Sequence, residues 1–375
     1  MDPRRVLRRG VTMSSPLIVP TKYWHALEDG KIQCDLCPRF CRLSEGQQGM
    51  CFVRGRQDNQ IVLLTYGRSS GFCIDPIEKK PLNHFLPGSA ILSFGTAGCN
   101  LACKFCQNWD ISKSRENDTL ADQATPELIA RAAKRLGCPS VAFTYNDPVI
   151  FHEYAIDVAI ACHEVGVKSV AKSAGEVNPE PRIEFYSHMD AANIDLKAFT
   201  ERFYHQICGS HLQPVLETLK YLKHHTKVWF EITTLLIPGE NDSDKEIEEM
   251  TQWIAENLGV DVPHHFTAFH PDYRMLDKPR TPQSTLTRAR RIALKNGLRY
   301  VYTGNVNDLE GGSTYCHACG QCVIGRNSWQ ILEWNLTPEG ACRICGERCS
   351  GVFEAKPGNW GARRVAVRLK DFALQ

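Results

Sequence analysis

Across residues 86–305 the chain alternates two hydrophobic patterns. Short continuous apolar runs of strand length are followed by longer stretches whose apolar positions recur every three or four residues. Thr125-Pro126 opens one such stretch, with Thr as cap and Pro in the first turn. Leu128, Ile129, Ala132, Ala133 and Leu136 then share a face, and Gly137 stops the helix. A strand is expected over 140–144, a helix over 148–164, and a strand near 167–171. Further strands near 192–196, 228–236, 265–269 and 299–303 are separated by helices near 212–222, 244–258 and 285–296. With 91–95 at the front, this makes six or seven strands joined by crossover helices. Such alternation implies an α/β fold with a parallel sheet.

The flanks read differently. Residues 22–85 hold a cysteine-rich knuckle and a short strand at 60–66, and residues 306–375 are again cysteine-rich with few periodic runs. The basic opening, 1–21, lacks the apolar core of a signal peptide and is expected to be a solvated tail, with Met13 as an alternative start. Apolar content of 43% and charged content of 23% are ordinary for a globular enzyme. A net charge of +2 gives no electrostatic footprint for nucleic acid or membrane. No run approaches the roughly 20 apolar residues of a membrane span. Seventeen cysteines, an odd count, argue against a disulfide framework and for metal ligation in a reducing cytoplasm.

After the first strand comes Gly98-Cys99-Asn100-Leu101-Ala102-Cys103-Lys104-Phe105-Cys106, a C-x3-C-x2-C run with no fourth cysteine nearby. A closed iron–sulfur cluster is normally held by four thiolates. Three leave one iron open, and an open position distinguishes a reactive metal site from a structural one. An open [4Fe–4S] cluster suits capture of the amino and carboxylate groups of S-adenosylmethionine (SAM), with Phe105 available to its adenine. The segment resembles the cluster loop of the radical SAM enzymes. That resemblance implies a partial (β/α)6 TIM-like barrel over 86–305, with small cysteine-rich metal-binding appendages at 22–85 and 306–375. Active sites of such barrels gather at the carboxyl ends of the strands, where Cys99, Cys103 and Cys106 fall.

The same resemblance implies SAM contacts at other strand ends. Tyr145-Asn146-Asp147-Pro148 stands where the family has Gly-Gly-Glu-Pro, placing Asn146 and Asp147 near the methionine amino group. An Asx turn capping the next helix is a compatible role. Asp195-Leu196-Lys197 resembles the glycyl-radical-enzyme activases, which implies Asp195 and Lys197 near SAM and a cation. A mutually satisfied buried pair is the alternative. Pro238-Gly239 resembles the activase ribose loop, and equally an ordinary turn. Phe269-His270-Pro271 places His270 either near the adenosyl group or in a structural role. Where the family reads Thr-Asn-Gly-Tyr or close to it, this chain has Ser173-Ala174-Gly175-Glu176. The Ser173 hydroxyl is expected to stand in for the lost amide, and Glu176 has no counterpart.

Cys34, Cys37, Cys41 and Cys51 form a four-thiolate set that fits either zinc or an auxiliary [4Fe–4S] cluster. Cys316, Cys319, Cys342 and Cys345 form paired C-x2-C knuckles that read as a zinc ribbon, with Cys322 and Cys349 leaving a larger cluster open. Together with Asp75-Pro76-Ile77-Glu78-Lys79-Lys80-Pro81-Leu82, these sets resemble the radical SAM enzyme of the AmmeMemoRadiSam system. That resemblance implies Memo-like and AMMECR-type partner proteins. The chemistry it implies is reductive SAM cleavage and hydrogen abstraction, fed by an electron donor such as flavodoxin or ferredoxin. A glycyl-radical-enzyme activase and a non-catalytic metal-knuckle binding module are the alternatives.

Overall fold

The computed structural model describes residues 17–113 and 122–373. Its centre is seven parallel strands: β1 (Ala90–Gly95), β2 (Ser140–Phe143), β3 (Lys168–Ser173), β4 (Ala191–Asp195), β5 (Trp229–Leu236), β6 (His264–Ala268) and β7 (Val301–Gly304). Each pairs in register with the next in chain order. The crossovers carry α1 (Pro126–Arg135), α2 (His152–Glu164), α3 (Pro179–Ser187), α4 (Leu212–His225), α5 (Asp244–Leu258) and α6 (Gln283–Lys295). Six strand–helix units and a seventh strand therefore curl in one direction, and among the described residues no pairing joins β7 to β1. The result is an α/β fold on a parallel sheet, a barrel left open.

Strands buried on both faces need continuous apolar runs, and β1 and β2 are buried at every position. Thr125 caps α1 as its sequence demands, its side chain accepting from the Leu128 N–H. The α3 helix is one that apolar periodicity leaves out, because Pro179 and Pro181 occupy its first turn and its faces are mixed.

Both flanks differ in detail from the sequence expectation. Leu17–Pro20, within the segment read as a tail, pairs antiparallel with Gln60–Tyr66. The rest of that segment, 1–16, lies outside the described residues. Arg68–Pro76 joins the barrel sheet antiparallel to β1, and Val365–Ala366 adds to its outer edge. The knuckle around Trp24–Ala26, Ile32–Cys34 and Arg42–Leu43 packs into the main hydrophobic core rather than apart from it. Its anchor is Arg54, 2% exposed, whose guanidinium grips the Glu153 carboxylate of α2 through contacts of 2.6 and 2.7 Å. The C-terminal sheet (Thr314–Tyr315, Cys322–Asn327, Gln330–Trp334) has a small core of its own, built on Val323, Ile324, Leu336 and three cysteines. No helix among the described residues is long and apolar enough to cross a membrane.

Candidate active site

The carboxyl ends of β1 to β7 open onto one cavity of about 480 Å³. Cys99, Cys103 and Cys106 line it from the loop after β1. Facing them are Asp147 and Ser173 from the ends of β2 and β3, and Asp195 and Lys197 from the end of β4. These sequence-named groups thus share one cavity, whereas His270 and the Pro238-Gly239 turn do not line it, Gly239 donating its N–H to Asp242 within that turn.

Asn146 shapes the cysteine loop directly. Its Oδ1 accepts from the Thr96 N–H at 3.3 Å, and its Nδ2 donates to the carbonyls of Ala97 and Gly98 at 3.3 and 2.8 Å. Gly95 is required beside it, because a Cβ there would stand 2.5 Å from the Thr144 carbonyl oxygen. On the opposite side of the loop, Ala102 and Lys104 donate their N–H groups to the carbonyls of Cys208 and Ile207. The loop is therefore pinned from both sides before any cofactor binds.

Asp147 fills the capping role foreseen for it. Its Oδ1 caps the turn at Val149 N–H (3.1 Å), while Ser173 Oγ and the Ala174 N–H donate to the same carboxylate at 3.0 and 2.9 Å. Burial raises its pKa against those three donors. Asp195 lies between two ammonium groups: Lys172 donates to one oxygen and Lys197 to the other, the latter at 3.1 Å. Burial works against ionisation there, but Lys172 and Lys197 outweigh it and hold the carboxyl low. Lys197 also stands 5.8 Å over the Phe105 ring, which is itself buried against Phe203. Lys172 escaped the sequence reading because one lysine in an apolar strand carries no periodic signal. Its bonds to Asn193 and Asp195 on the neighbouring strand place it on the barrel interior.

Two other expectations change. His270 stands outside the cavity wall, its side chain 49% exposed and its Nδ1 2.9 Å from Gln107 Nε2. The tight 272–275 turn after β6 carries it outward. Glu176 lies away from the cavity, 2% exposed behind the cysteine loop, and its own carbonyl accepts from Asn100 Nδ2 at 3.0 Å. Burial moves its carboxyl from 4.5 up to about 7. A carboxyl whose folded pKa is raised contributes stability that is full below pH 4.5 and is lost as pH climbs through about 7. The expected cost above neutrality is about 3 kcal/mol. Glu176→Gln should therefore gain on the wild type by about 2 kcal/mol between pH 5.5 and 8, read as the pH dependence of the unfolding midpoint. Parallel curves for the two proteins would contradict this account.

Several cavity groups were given no site role by the sequence. Lys79 and Lys80 arrive from the segment after Arg68–Pro76, both paired with the fully buried Asp75 at 2.9 and 2.7 Å. His265 on β6 binds Glu231 on β5 at 2.7 Å lower in the barrel. Trp329, at the tip of the C-terminal hairpin, reaches the cavity and stacks under Lys79 Nζ at 5.6 Å.

The donor chemistry fits an iron–sulfur cofactor. Three thiols on one cavity wall, with no fourth cysteine lining it, give a partly ligated set. Cys208 lies behind Cys103, buried and off the cavity; its thiol donates to Cys103 and, with the Lys197 and Lys113 ammonium groups, draws that thiol's pKa down. The Radical SAM superfamily model matches residues 94–254, the stretch that carries this wall. Uncharacterized protein MJ0808 of Methanocaldococcus jannaschii is 38% identical over 332 residues, covering 88% of this chain and 98% of that protein. This chain belongs to the radical SAM superfamily. It is a radical SAM enzyme, using a [4Fe–4S] cluster and SAM. It is also similar to the 4-hydroxyphenylacetate decarboxylase activating enzyme of Clostridioides difficile, at 26% identity over 44% of this chain and 55% of that enzyme. The pyruvate formate-lyase-activating enzyme of Clostridium pasteurianum is 24% identical over 48% of this chain and 80% of its own length. The chain thus spans about half the length of the first of these activating enzymes.

The four C-terminal cysteines, Cys316, Cys319, Cys342 and Cys345, have all their sulfurs within 4.8 Å of one another. Cys316 and Cys345 are 3.5 Å apart, and Cys319 and Cys342 3.8 Å. Four sulfurs about 2.3 Å from one ion stand about 3.8 Å apart, so this set fits a single tetrahedral metal. Cys322 and Cys349 stay outside the group.

Proposed function

We propose that this enzyme abstracts a hydrogen atom from a substrate in the AmmeMemoRadiSam system, working with Memo-like and AMMECR-type proteins and a flavodoxin- or ferredoxin-type donor. When bound, the cluster and SAM supply one-electron cleavage of the sulfonium to methionine and a 5′-deoxyadenosyl radical. The observation that carries the reading is the convergence of Cys99, Cys103 and Cys106 with Asp147, Ser173, Asp195 and Lys197 on one cavity. Cys99, Cys103 and Cys106 would hold three irons. Asp147, oriented by Ser173 and Ala174, offers an acceptor for the SAM ammonium, and Lys172 and Lys197 keep Asp195 ionised beside it. Lys79, Lys80 and Trp329 are left to face the substrate. The C-terminal four-cysteine set takes zinc as a structural ion in this reading.

The knuckles at both ends separate the chain from a plain activase, while Asp195-Leu196-Lys197 and the activating-enzyme relatives favour glycyl-radical activation as a second reading. The inactive metal-knuckle alternative falls with membership of an enzyme superfamily. Anaerobic assays with reconstituted protein decide between the two that remain. Added Memo-like and AMMECR-type proteins should raise 5′-deoxyadenosine release. A glycyl-radical signal on an added glycyl-radical enzyme, with no response to the other two, would overturn the first reading in favour of the second.

A further inference from the structure

We infer that Cys34, Cys37, Cys41 and Cys51 hold a second, fully ligated [4Fe–4S] cluster at the back of the cysteine loop, and not zinc. All four line a small enclosed cavity, together with Arg54 and Asn100. Its free space of about 20 Å³ exceeds what one water molecule needs. A zinc site has no such void, because four sulfurs on one ion touch one another.

The molecule supplies its own comparison. Among the described residues, the C-terminal set is the one group whose sulfurs all fall within 4.8 Å of one another. No three of the N-terminal sulfurs do, and neither do those of Cys99, Cys103 and Cys106. Thiolates on the corners of a cubane are spread by the iron and sulfide between them, while thiolates on one ion are not. The N-terminal set therefore lacks the close spacing of the ribbon, as does the set that superfamily membership assigns to [4Fe–4S].

Arg54 provides an independent sign. It is 2% exposed on the cavity wall, and its Nε–H has no acceptor in the protein although both terminal nitrogens are taken by Glu153. Leaving such a donor unpaired is costly. A metal-bound thiolate or a cluster sulfur would accept that bond, so Arg54 marks the cavity as the seat of a metal centre, and the sulfur spacing and free space decide which.

The placement ties this centre to the reactive one. Asn100 faces the N-terminal cavity while its neighbours Cys99 and Leu101 line the main one. Arg39 Nε donates to the Asn100 carbonyl at 2.7 Å. Gly98 has φ +77, and a Cβ there would lie 1.9 Å from the Cys51 carbonyl oxygen. The two cysteine loops are packed backbone to backbone.

Iron, sulfide and zinc counted on the full chain after anaerobic reconstitution test the assignment. About eight iron and one zinc per chain are expected. The triple variant Cys99→Ala/Cys103→Ala/Cys106→Ala should keep half the iron, and its dithionite-reduced electron paramagnetic resonance signal should not respond to SAM. Cys37→Ala/Cys41→Ala should lose half the iron with zinc unchanged. A wild-type count of about four iron and two zinc overturns the inference without recourse to any variant, as does a triple variant free of iron.

Discussion

Cys103→Ala is expected to abolish 5′-deoxyadenosine release from SAM under a strong reductant. Altering even the outer partners of a metal site costs roughly 10–100-fold, so removing one of three ligands should exceed about a hundredfold. The choice of Cys103 follows from the site. It is 6% exposed, with Cys208 behind it and Lys197 and Lys113 nearby, so no water can take its place easily. The loop around it is pinned independently of the thiol, through Asn146 on one side and the 207–208 carbonyls on the other. The variant should therefore fold, and its unfolding midpoint should stay near that of an iron-free wild type. Product release equal to wild type would show that these sulfurs do not hold the reactive cluster. A serine at the same position would be less decisive, since an alkoxide oxygen can hold iron weakly.

The alternation of strands and helices was legible because burial on both faces of a parallel sheet leaves continuous apolar runs, as in β1 and β2. The strand at Arg68–Pro76 was not, since Ser69, Ser70 and Gly71 break its apolar run and its partner is antiparallel. In the site, residues carried by a local spacing were found: the three loop cysteines, Asp147 with its helix cap, Asp195 with Lys197. Residues that act through long-range pairing were missed. Lys172 meets Asp195 across a neighbouring strand, and Trp329 arrives from a hairpin more than two hundred positions after the cysteine loop. No window of sequence contains both members of such pairs. His270 shows the reverse failure, a residue with the right neighbours in sequence carried outward by the turn that follows it.

The largest stability effect is expected at the other end of the chain, from Cys342→Ser or from removal of the zinc ion proposed for that site. The C-terminal unit has a small apolar core, Val323, Ile324 and Leu336 besides its cysteines, with Ile331, Trp334 and Phe353 half-buried against it. A core that small cannot offset the conformational entropy of ordering the surrounding loops, and folding then depends on the metal. Structural zinc sites of this kind carry about 10–16 kcal/mol of apparent binding free energy. Its loss should melt the ribbon and withdraw what it holds in place. Arg326, 2% exposed, donates to the Asn83 carbonyl at 2.7 Å and to Thr314 Oγ1 at 2.8 Å, joining the ribbon to the segment that leads into β1. Trp329 would leave the cavity with it. Limited proteolysis should then cut within residues 314–349 while the barrel persists, and turnover of substrate should fall further than uncoupled release of 5′-deoxyadenosine. A strong chelator that strips zinc yet leaves the ribbon uncut would mean that packing against the barrel, rather than the ion, holds this unit together. The two knuckles would then be alike in resting on packing, the N-terminal one on the main core and the C-terminal one on its own small core and the Arg326 contacts.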